Sequence, residues 1–477
     1  MSRQNNGGSE DGSAKGRGIH WIQGQSLPRT RSGARDDIGF VASPNRTLIG
    51  LSVPVLLSLI AEPLTGLVDT AFISRLGAAD LASLGVGAIT LSSIFWIFNF
   101  LGVGSQTETA QATGRGDFEA ARSLMTTALL LGSGLGVMAA VIGWPLAEAA
   151  SVAMGAGGEL LDGSATYIRI RLLGAPAIMA TIVAFGILRG VQDMRSPLRI
   201  AVGVNLTNIV LDPLMIFGVG SLPGFGIGGA AAATVIGQWV GAIWCLSALR
   251  TRIGGFASAD SRFLNRLLRI GGDLFVRTGL LSLFLLLATR SATLIGPDGG
   301  AAHQAIRQVW VFTALFLDSF AISGQSLIGY FFGGGDVALA RRVAAYVCAW
   351  SCGTGVILGI AMWIGTGLAE VVLVPPAASH LFYSAWWLAA VTQPLNALSF
   401  GTDGVHWGTG DYGFLRNAMI VSTGVGAGLL MTIDVTGPDA LQSIWMVTGV
   451  WIVVRAVLGV IRIWPGVGRA PLSAIQN

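Results

Sequence analysis

Charge is what this chain has least of. Only 11% of its 477 residues are Asp, Glu, Lys or Arg, against about 25% in an ordinary soluble domain. Lys15 is the sole lysine, and the arginines are spread over short loops rather than gathered in a patch, so the net charge of +4 is no nucleic-acid footprint. Cysteine is scarce: Cys245, Cys348 and Cys352 all fall inside apolar runs with no His or acid beside them, and read as small buried hydrophobes rather than redox or metal groups. Catalytic signatures are missing too, with no Walker A loop, no G-x-S-x-G and no metal-spaced Cys/His cluster. Any active transport would have to run on an ion gradient rather than on ATP. Residues 1–45 hold no apolar core of a secretory signal and read as a disordered cytoplasmic tail.

What is present is apolar. The chain is 52% hydrophobic with a mean hydropathy of +0.68, and its 68 Gly suit close helix packing in lipid. Twelve apolar segments follow the tail, near 48–74, 85–112, 119–145, 164–188, 197–218, 228–250, 264–296, 301–332, 340–366, 380–406, 412–434 and 441–464. The fold class is an all-α polytopic membrane protein. Alternate loops are rich in Arg (Arg115 and Arg122, Arg195 and Arg199, Arg250 and Arg252, Arg341 and Arg342, Arg416), and the others are poor in it. The positive-inside rule places the Arg-rich set and both termini in the cytoplasm of a bacterial inner membrane.

An internal repeat organises the chain. Residues 104–122 align with 323–341 at an offset of 219, matching Gln106/Gln325, Gly114/Gly333, Gly116/Gly335, Asp117/Asp336, Ala121/Ala340 and Arg122/Arg341. Residues 186–193 align with 404–411 at an offset of 218, keeping two Gly and the Asp. Six segments separate the copies, so the halves are parallel repeats about an axis along the membrane normal, as in some secondary transporters. The expected division is N-tail 1–45, N-lobe 46–250, cytoplasmic linker 251–266, C-lobe 267–465 and cytoplasmic C-tail 466–477.

Against this repeat a few charges stand out. Segment 1 carries Glu62 and Asp69, seven apart and so near one helix face. A charge at bilayer depth costs ~2.5–3.5 kcal/mol on insertion scales, and such groups mark ion or substrate pathways. Segment 5 carries Asn205, Asn208 and Asp212, spaced four and seven apart on one face, with Pro213 next. Carboxylate, amide and carbonyl oxygens suit a hard monovalent cation; the same buried acids could take a proton, and a plain polar helix contact is the remaining alternative. The repeat puts Ala288 opposite Asp69 and Leu430 opposite Asp212, so these acids belong to one half only. The second half has its own set: Arg277 and Arg290, His303, Arg307 and Asp318, Asp403 and His406. Arg290 with Asp318 is the most economical pair, while Arg169 and Arg171 are expected to snorkel to the interface. Gln106 and Glu108 are further candidates for a central cavity.

The stretches E-P-L-T-G-L-V-D-T-A-F-I-S-R-L-G, R-G-V-Q-D-M-R-S-P-L, N-x-x-N-x-x-x-D-P and A-A-H-Q resemble the multidrug and toxic compound extrusion (MATE) transporters, and the segment-7 Arg with L-D-S-F resembles its DinF-like branch. The likeness covers roughly residues 45–465. It implies two six-helix bundles around a central cavity, rocker-switch alternating access, and export of organic compounds against H⁺ or Na⁺, with no enzyme activity and no cofactor. The cation site it implies is Asp69, Asn208 and Asp212 with Tyr167 and Thr234 nearby; the only metal implied is Na⁺ at the first three. Segment 4 reads A-F-G-I-L-R-G without the Asn that some cation-coupled relatives carry before R-G, which favours H⁺. The substrate cavity expected comprises Glu62, Glu108, Gln106, Arg290, Asp318 and Asp403. The partners expected are a small organic substrate, the coupling ion and the lipid bilayer, with a monomer working alone. A lipid-linked precursor flippase would want a strongly cationic cavity, which the N-lobe acids oppose; a membrane-embedded enzyme would need a nucleophile or metal set.

Overall fold

The computed structural model describes residues 39–220 and 222–473, apart from the side chains of Glu62 and Leu222. Most of the expected N-tail, the last four residues of the C-tail and the Glu62 carboxylate thus lie outside the described residues. Sixteen α-helices carry the described chain: α1 (Pro44–Ile73), α2 (Ala78–Ile97), α3 (Phe100–Gly114), α4 (Phe118–Ala153), α5 (Glu159–Leu172), α6 (Ala175–Gly190), α7 (Arg195–Phe217), α8 (Gly226–Arg252), α9 (Ser261–Ile295), α10 (Pro297–Gly333), α11 (Val337–Ile364), α12 (Thr366–Leu373), α13 (Ser379–Val391), α14 (Gln393–Thr409), α15 (Tyr412–Leu430) and α16 (Ala440–Ile463). A two-residue hairpin, β1 (Gly218–Val219) with β2 (Leu222–Pro223), joins α7 to α8.

With the eight-residue α12 set aside, these helices make twelve membrane rods in two six-helix lobes, because α2–α3, α5–α6 and α13–α14 each form one rod with a break. Among the described residues, nine rods are long and apolar enough to span a bilayer, and α5–α6, bent by 52°, makes a tenth. The other two, α13–α14 and α15, fall short for a physical reason. Helix α14 carries Gln393, Asn396, Asp403 and His406 on a buried surface, and α15 carries Arg416 and Asn417 in its second turn, which lower its mean hydropathy. The breaks are invisible to hydrophobic periodicity. The one between α2 and α3 has no mate in the C-lobe, where α10 runs unbroken, but the other two are symmetric: Leu173 ends α5 where Thr392, at the offset of 219, ends α13. Beyond each of these two a proline, Pro176 or Pro394, packs on a glycine, Gly136 or Gly355, where an added Cβ would lie 2.6 or 2.8 Å from the proline Cα.

Each residue matched by the repeat has a local task. Gly116 and Gly335 turn the chain with φ of 74° and 83°, a left-handed conformation that glycine adopts without strain. Asp117 then caps α4 by accepting from the Ala120 amide at 3.0 Å, and Asp336 caps α11 by accepting from Leu339 at 2.8 Å. Asp193 pairs with Arg252 at 2.7 Å, and its repeat mate Asp411 pairs with Arg462 at 2.8 Å, tying the end of each sixth rod to its lobe.

The lobes meet along α3 and α10 on the face of the Arg-rich turns, through reciprocal bonds. Gln106 donates to Ile322 O at 2.7 Å, and Gln325 donates to Val103 O at 2.9 Å. Thr107 donates to Trp407 O at 2.7 Å, and its mate Ser326 donates to Arg189 O at 2.5 Å. Gly114 lies against Tyr330 O and Gly333 against Gln111 O, so closely that neither site has room for a Cβ. The seam is closed, and it obeys the repeat on both sides. The linker 253–260 lies along α4, where Ser123 donates to Ser258 O at 2.8 Å. The chain after α16 likewise lies on α11, where Arg341 donates to Leu472 O at 2.9 Å. Phe40, fully buried, packs 6.0 Å from Phe331 and 5.8 Å from Tyr346, so the start of the described chain rests on the C-lobe.

Candidate functional site

In the N-lobe, α1, α7 and α8 bring one acid cluster together at bilayer depth. Asp69 stands one turn before the end of α1, and Asp212 and Asn208 share a face of α7; all three are buried. With its nitrogen turned to the acids, the Asn208 amide donates to Asp69 Oδ1 at 2.9 Å and to Asp212 Oδ2 at 3.0 Å. Its oxygen accepts from Thr234 Oγ1 of α8 at 3.2 Å. Thr234 Oγ1 also lies 2.9 Å from Ala230 O, the alternative acceptor for its single hydroxyl proton. The two carboxyls are themselves within hydrogen-bonding contact. Tyr167 of α5 is buried beside them, close enough to feel both charges. Asn205 does not join this cluster: its amide donates to Ala61 O at 2.7 Å and ties α7 to α1.

Such a cluster offers several oxygens to one small cation. Two ionised carboxylates about 4 Å apart repel by roughly 4 kcal/mol at an effective dielectric of about 20. A single bound positive charge removes that repulsion. Among the described residues no group of three or more His, Cys, Asp or Glu side chains has the arrangement of a metal centre.

The C-lobe holds a different constellation, and it corrects the expected ion pair. Arg290 is exposed, and neither it nor Asp318 has an ion-pair partner among the described residues. Asp403 is the hub instead. Its Oδ2 accepts from Arg277 of α9 and, at 2.9 Å, from Arg455 of α16. All three groups are buried. Arg277 lies 5.4 Å over Trp407 and Arg455 lies 4.6 Å over Trp451, so each guanidinium is held by a carboxylate and an aromatic face. Asp318 lies near both guanidiniums without touching them. Arg277 and Arg290 are thirteen residues apart on one long helix, and only packing decided which faced the interior. Arg455 escapes sequence reasoning, although an arginine inside an apolar run is the signal that marks Arg277.

The remaining cavity candidates sit at the lobe boundary. Gln106 belongs to the seam, and Glu108 pairs with Arg266 of α9 at 2.7 Å. His303 lies 3.3 Å from Thr289 Oγ1 and 5.6 Å from the Trp445 ring, and His406 lies 3.4 Å from Gly459 O; both are interior packing groups.

A family model described as MatE matches residues 54–214, which includes Asp69, Asn208 and Asp212. Protein DETOXIFICATION 44, chloroplastic, of Arabidopsis thaliana is 31% identical over 452 residues, covering 87% of this chain and 81% of that protein. DNA damage-inducible protein F of Escherichia coli (strain K12) is 29% identical over 441 residues, covering 90% of this chain and 93% of its own length. A crystal structure of a MATE in the bent conformation superposes with a TM-score of 0.81 at 23% identity, covering 90% of this chain and 95% of that one. At that identity the superposition speaks for the fold alone.

Proposed function

Since this chain belongs to the multidrug and toxic compound extrusion (MATE) family of membrane transporters, we propose that it is a secondary antiporter exporting a small organic compound in exchange for H⁺, with Na⁺ as the alternative coupling ion. One observation carries the reading: the Asn208 amide bridges Asp69 and Asp212 at 2.9 and 3.0 Å in a buried site of one lobe. Two acids held this close cannot both stay ionised cheaply in a low dielectric. A cation entering from outside relieves them and biases α1, α7 and α8 towards a second packing. That bias is bounded by the ion's differential affinity for the two arrangements. The closed seam supports alternating access by rocking of two similar lobes, since the bonds from Gln106 and Gln325, and those from Thr107 and Ser326, open as mates. The Arg-rich face, with both termini, is the cytoplasmic one in this scheme, and the protein works as a monomer in a bacterial inner membrane.

The chemistry assigns roles residue by residue. Asp69 and Asp212 bind the ion, Asn208 orients both carboxyls, and Thr234 fixes the amide orientation. The C-lobe hub of Arg277, Asp403 and Arg455 is a fixed ionic frame flanking the substrate path. The test is efflux of ethidium from proteoliposomes under an imposed pH or Na⁺ gradient. Asp69→Asn and Asp212→Asn should fold and still bind ethidium but lose gradient-driven efflux, and Glu62→Gln should be milder. A folded Asp69→Asn protein pumping at the wild-type rate under either gradient would remove the α1 acid from the mechanism.

A further inference from the structure

The outer surface of the N-lobe carries a basic groove that the transport scheme does not use. Ile243, Leu246, Ser247 and Arg250 recur at three- and four-residue steps and share one face of α8. Thr251 and Phe256 complete a groove of about 540 Å³. Arg250 lies two turns beyond Ile243, ~10 Å along the helix axis. That step leads from the hydrocarbon into the polar headgroup layer, which is roughly 5–8 Å deep on each side. Arg250 is exposed and not committed elsewhere: Arg252 pairs with Asp193 at 2.7 Å, while Arg250 has no ion pair among the described residues. Its guanidinium lies 5.7 Å over the Phe256 ring. The linker that carries Phe256 is pinned to α4, where the amides of Ala257 and Asp260 donate to Thr126 Oγ1 and Thr127 Oγ1 at 3.2 and 2.9 Å. The C-lobe shows the same place in the fold without a groove. Counting back two, five and nine residues from the Asp-paired arginine of each lobe gives Arg250, Ser247 and Ile243 in α8, and Val460, Val457 and Val453 in α16. One lobe keeps an unbroken valine face, and the other turns polar at headgroup depth.

We propose that this groove seats one anionic phospholipid from the leaflet at the Arg-rich face. The Arg250 guanidinium binds the phosphate, the Ser247 hydroxyl is a second donor, and one acyl chain runs along Leu246 and Ile243. A guanidinium suits a phosphate because its N–H groups meet the oxygens in pairs. Stacking on Phe256 uses the flat face of the guanidinium and leaves its N–H edge to the lipid. The Ser247 carbonyl already accepts from Thr251 Oγ1 at 2.9 Å, but its hydroxyl has no protein partner among the described residues. The acids nearest along the chain are neutralised elsewhere, Asp193 by Arg252 and Asp260 by Arg262 at 2.8 Å. The groove is therefore net positive. A zwitterionic lipid brings an ammonium that Arg250 repels, whereas a lipid of net negative charge is attracted as a whole. The site is independent of the coupling ion and of the direction of transport.

Native mass spectrometry of the purified full-length protein in detergent tests this, with dioleoylphosphatidylglycerol, dioleoylphosphatidylcholine and inorganic phosphate as probes. Wild type should retain one phosphatidylglycerol under conditions that strip phosphatidylcholine. Arg250→Gln should weaken that molecule by about fivefold, the share of one basic residue at an anionic membrane surface. The double variant Ser247→Val/Arg250→Val, which copies the α16 face, should lose it. Arg115→Gln removes another exposed arginine of the Arg-rich face and should leave the count unchanged. Chymotrypsin cleavage after the exposed Phe256 localises the lipid: phosphatidylglycerol should slow it in wild type and not in Arg250→Gln. Equal retention of the two lipids by wild type would overturn the inference without any variant having to fold. Inorganic phosphate that displaces the lipid at comparable concentration would make the groove a site for free anions. A loss in Arg115→Gln equal to that in Arg250→Gln would reduce it to diffuse surface charge. Either of these outcomes overturns the proposal as well.

Discussion

Replacing Asp403 by Asn should be among the most damaging single changes in the C-lobe. The carboxylate accepts from Arg277 and from Arg455, all three groups are buried, and the nearest other acid, Asp318, touches neither guanidinium. Asparagine keeps the shape and removes the charge, leaving two stranded cations. Breaking a buried pair in this way costs about 3–5 kcal/mol. Arg455→Gln should cost less, about 1.5–3 kcal/mol for one charge-assisted hydrogen bond, because Arg277 and Asp403 still neutralise each other. Arg290→Gln changes an exposed side chain with no ion pair among the described residues and should stay within about 0.5 kcal/mol. Thermal unfolding in detergent, read by the tryptophan fluorescence of Trp407 and Trp451 beside the cluster, together with the yield of monodisperse protein, should rank the variants in that order. The double variant Asp403→Asn/Arg455→Gln should recover part of the loss, since it removes one stranded charge. A double variant no more stable than Asp403→Asn alone, or an Arg290→Gln protein as damaged as Asp403→Asn, would refute the hub.

The seam and the linker are testable in the same preparation. Gln106→Ala and Gln325→Ala should each loosen the Arg-rich face, Gln325→Ala more, because Gln325 also donates to Thr107 Oγ1 at 2.8 Å; together they remove about 3 kcal/mol and shift the open population roughly a hundredfold, seen as faster thiol labelling of a cysteine placed at the buried Ser105, whereas a larger effect from Gln106→Ala would contradict this seam. In the linker, the Asp260 carboxylate is held below the usual carboxylate range by hydrogen bonds from the Arg262 side chain and amide. Its contribution is therefore present at neutral pH and lost as pH falls through the lowered value. Proteolysis of the linker should quicken only in acid, and Asp260→Asn should abolish that acid step; cleavage that is independent of pH would argue against the cap.

How much was legible beforehand varies with the range of the interaction. The acids of α1 and α7 stood out because a carboxylate in an apolar run has few explanations, and spacing alone put Asn208 and Asp212 on one face. The repeat told which residues build the frame, and the capping Asp117 and Asp336 could be matched without coordinates because a cap is a local interaction. Asn205 shows the limit. It shares the α7 face with Asp212, yet its amide serves a backbone carbonyl of α1, since a face broad enough for one acid site also meets a second helix.

The class of molecule, the number and order of the rods, their two-fold relation and the acids of the N-lobe all follow from composition, periodicity and self-similarity along the chain. Which arginine meets which acid does not, and depends on how the helices pack. Choosing Arg277 over Arg290, adding Arg455 to Asp403 and laying the half-buried Arg171 over the Tyr167 ring all depend on helix rotation and on the breaks at Leu173 and Thr392. Those are set by close packing of glycines and prolines on neighbouring rods, and in lipid that packing, more than hydrophobicity, selects the face each helix turns inward.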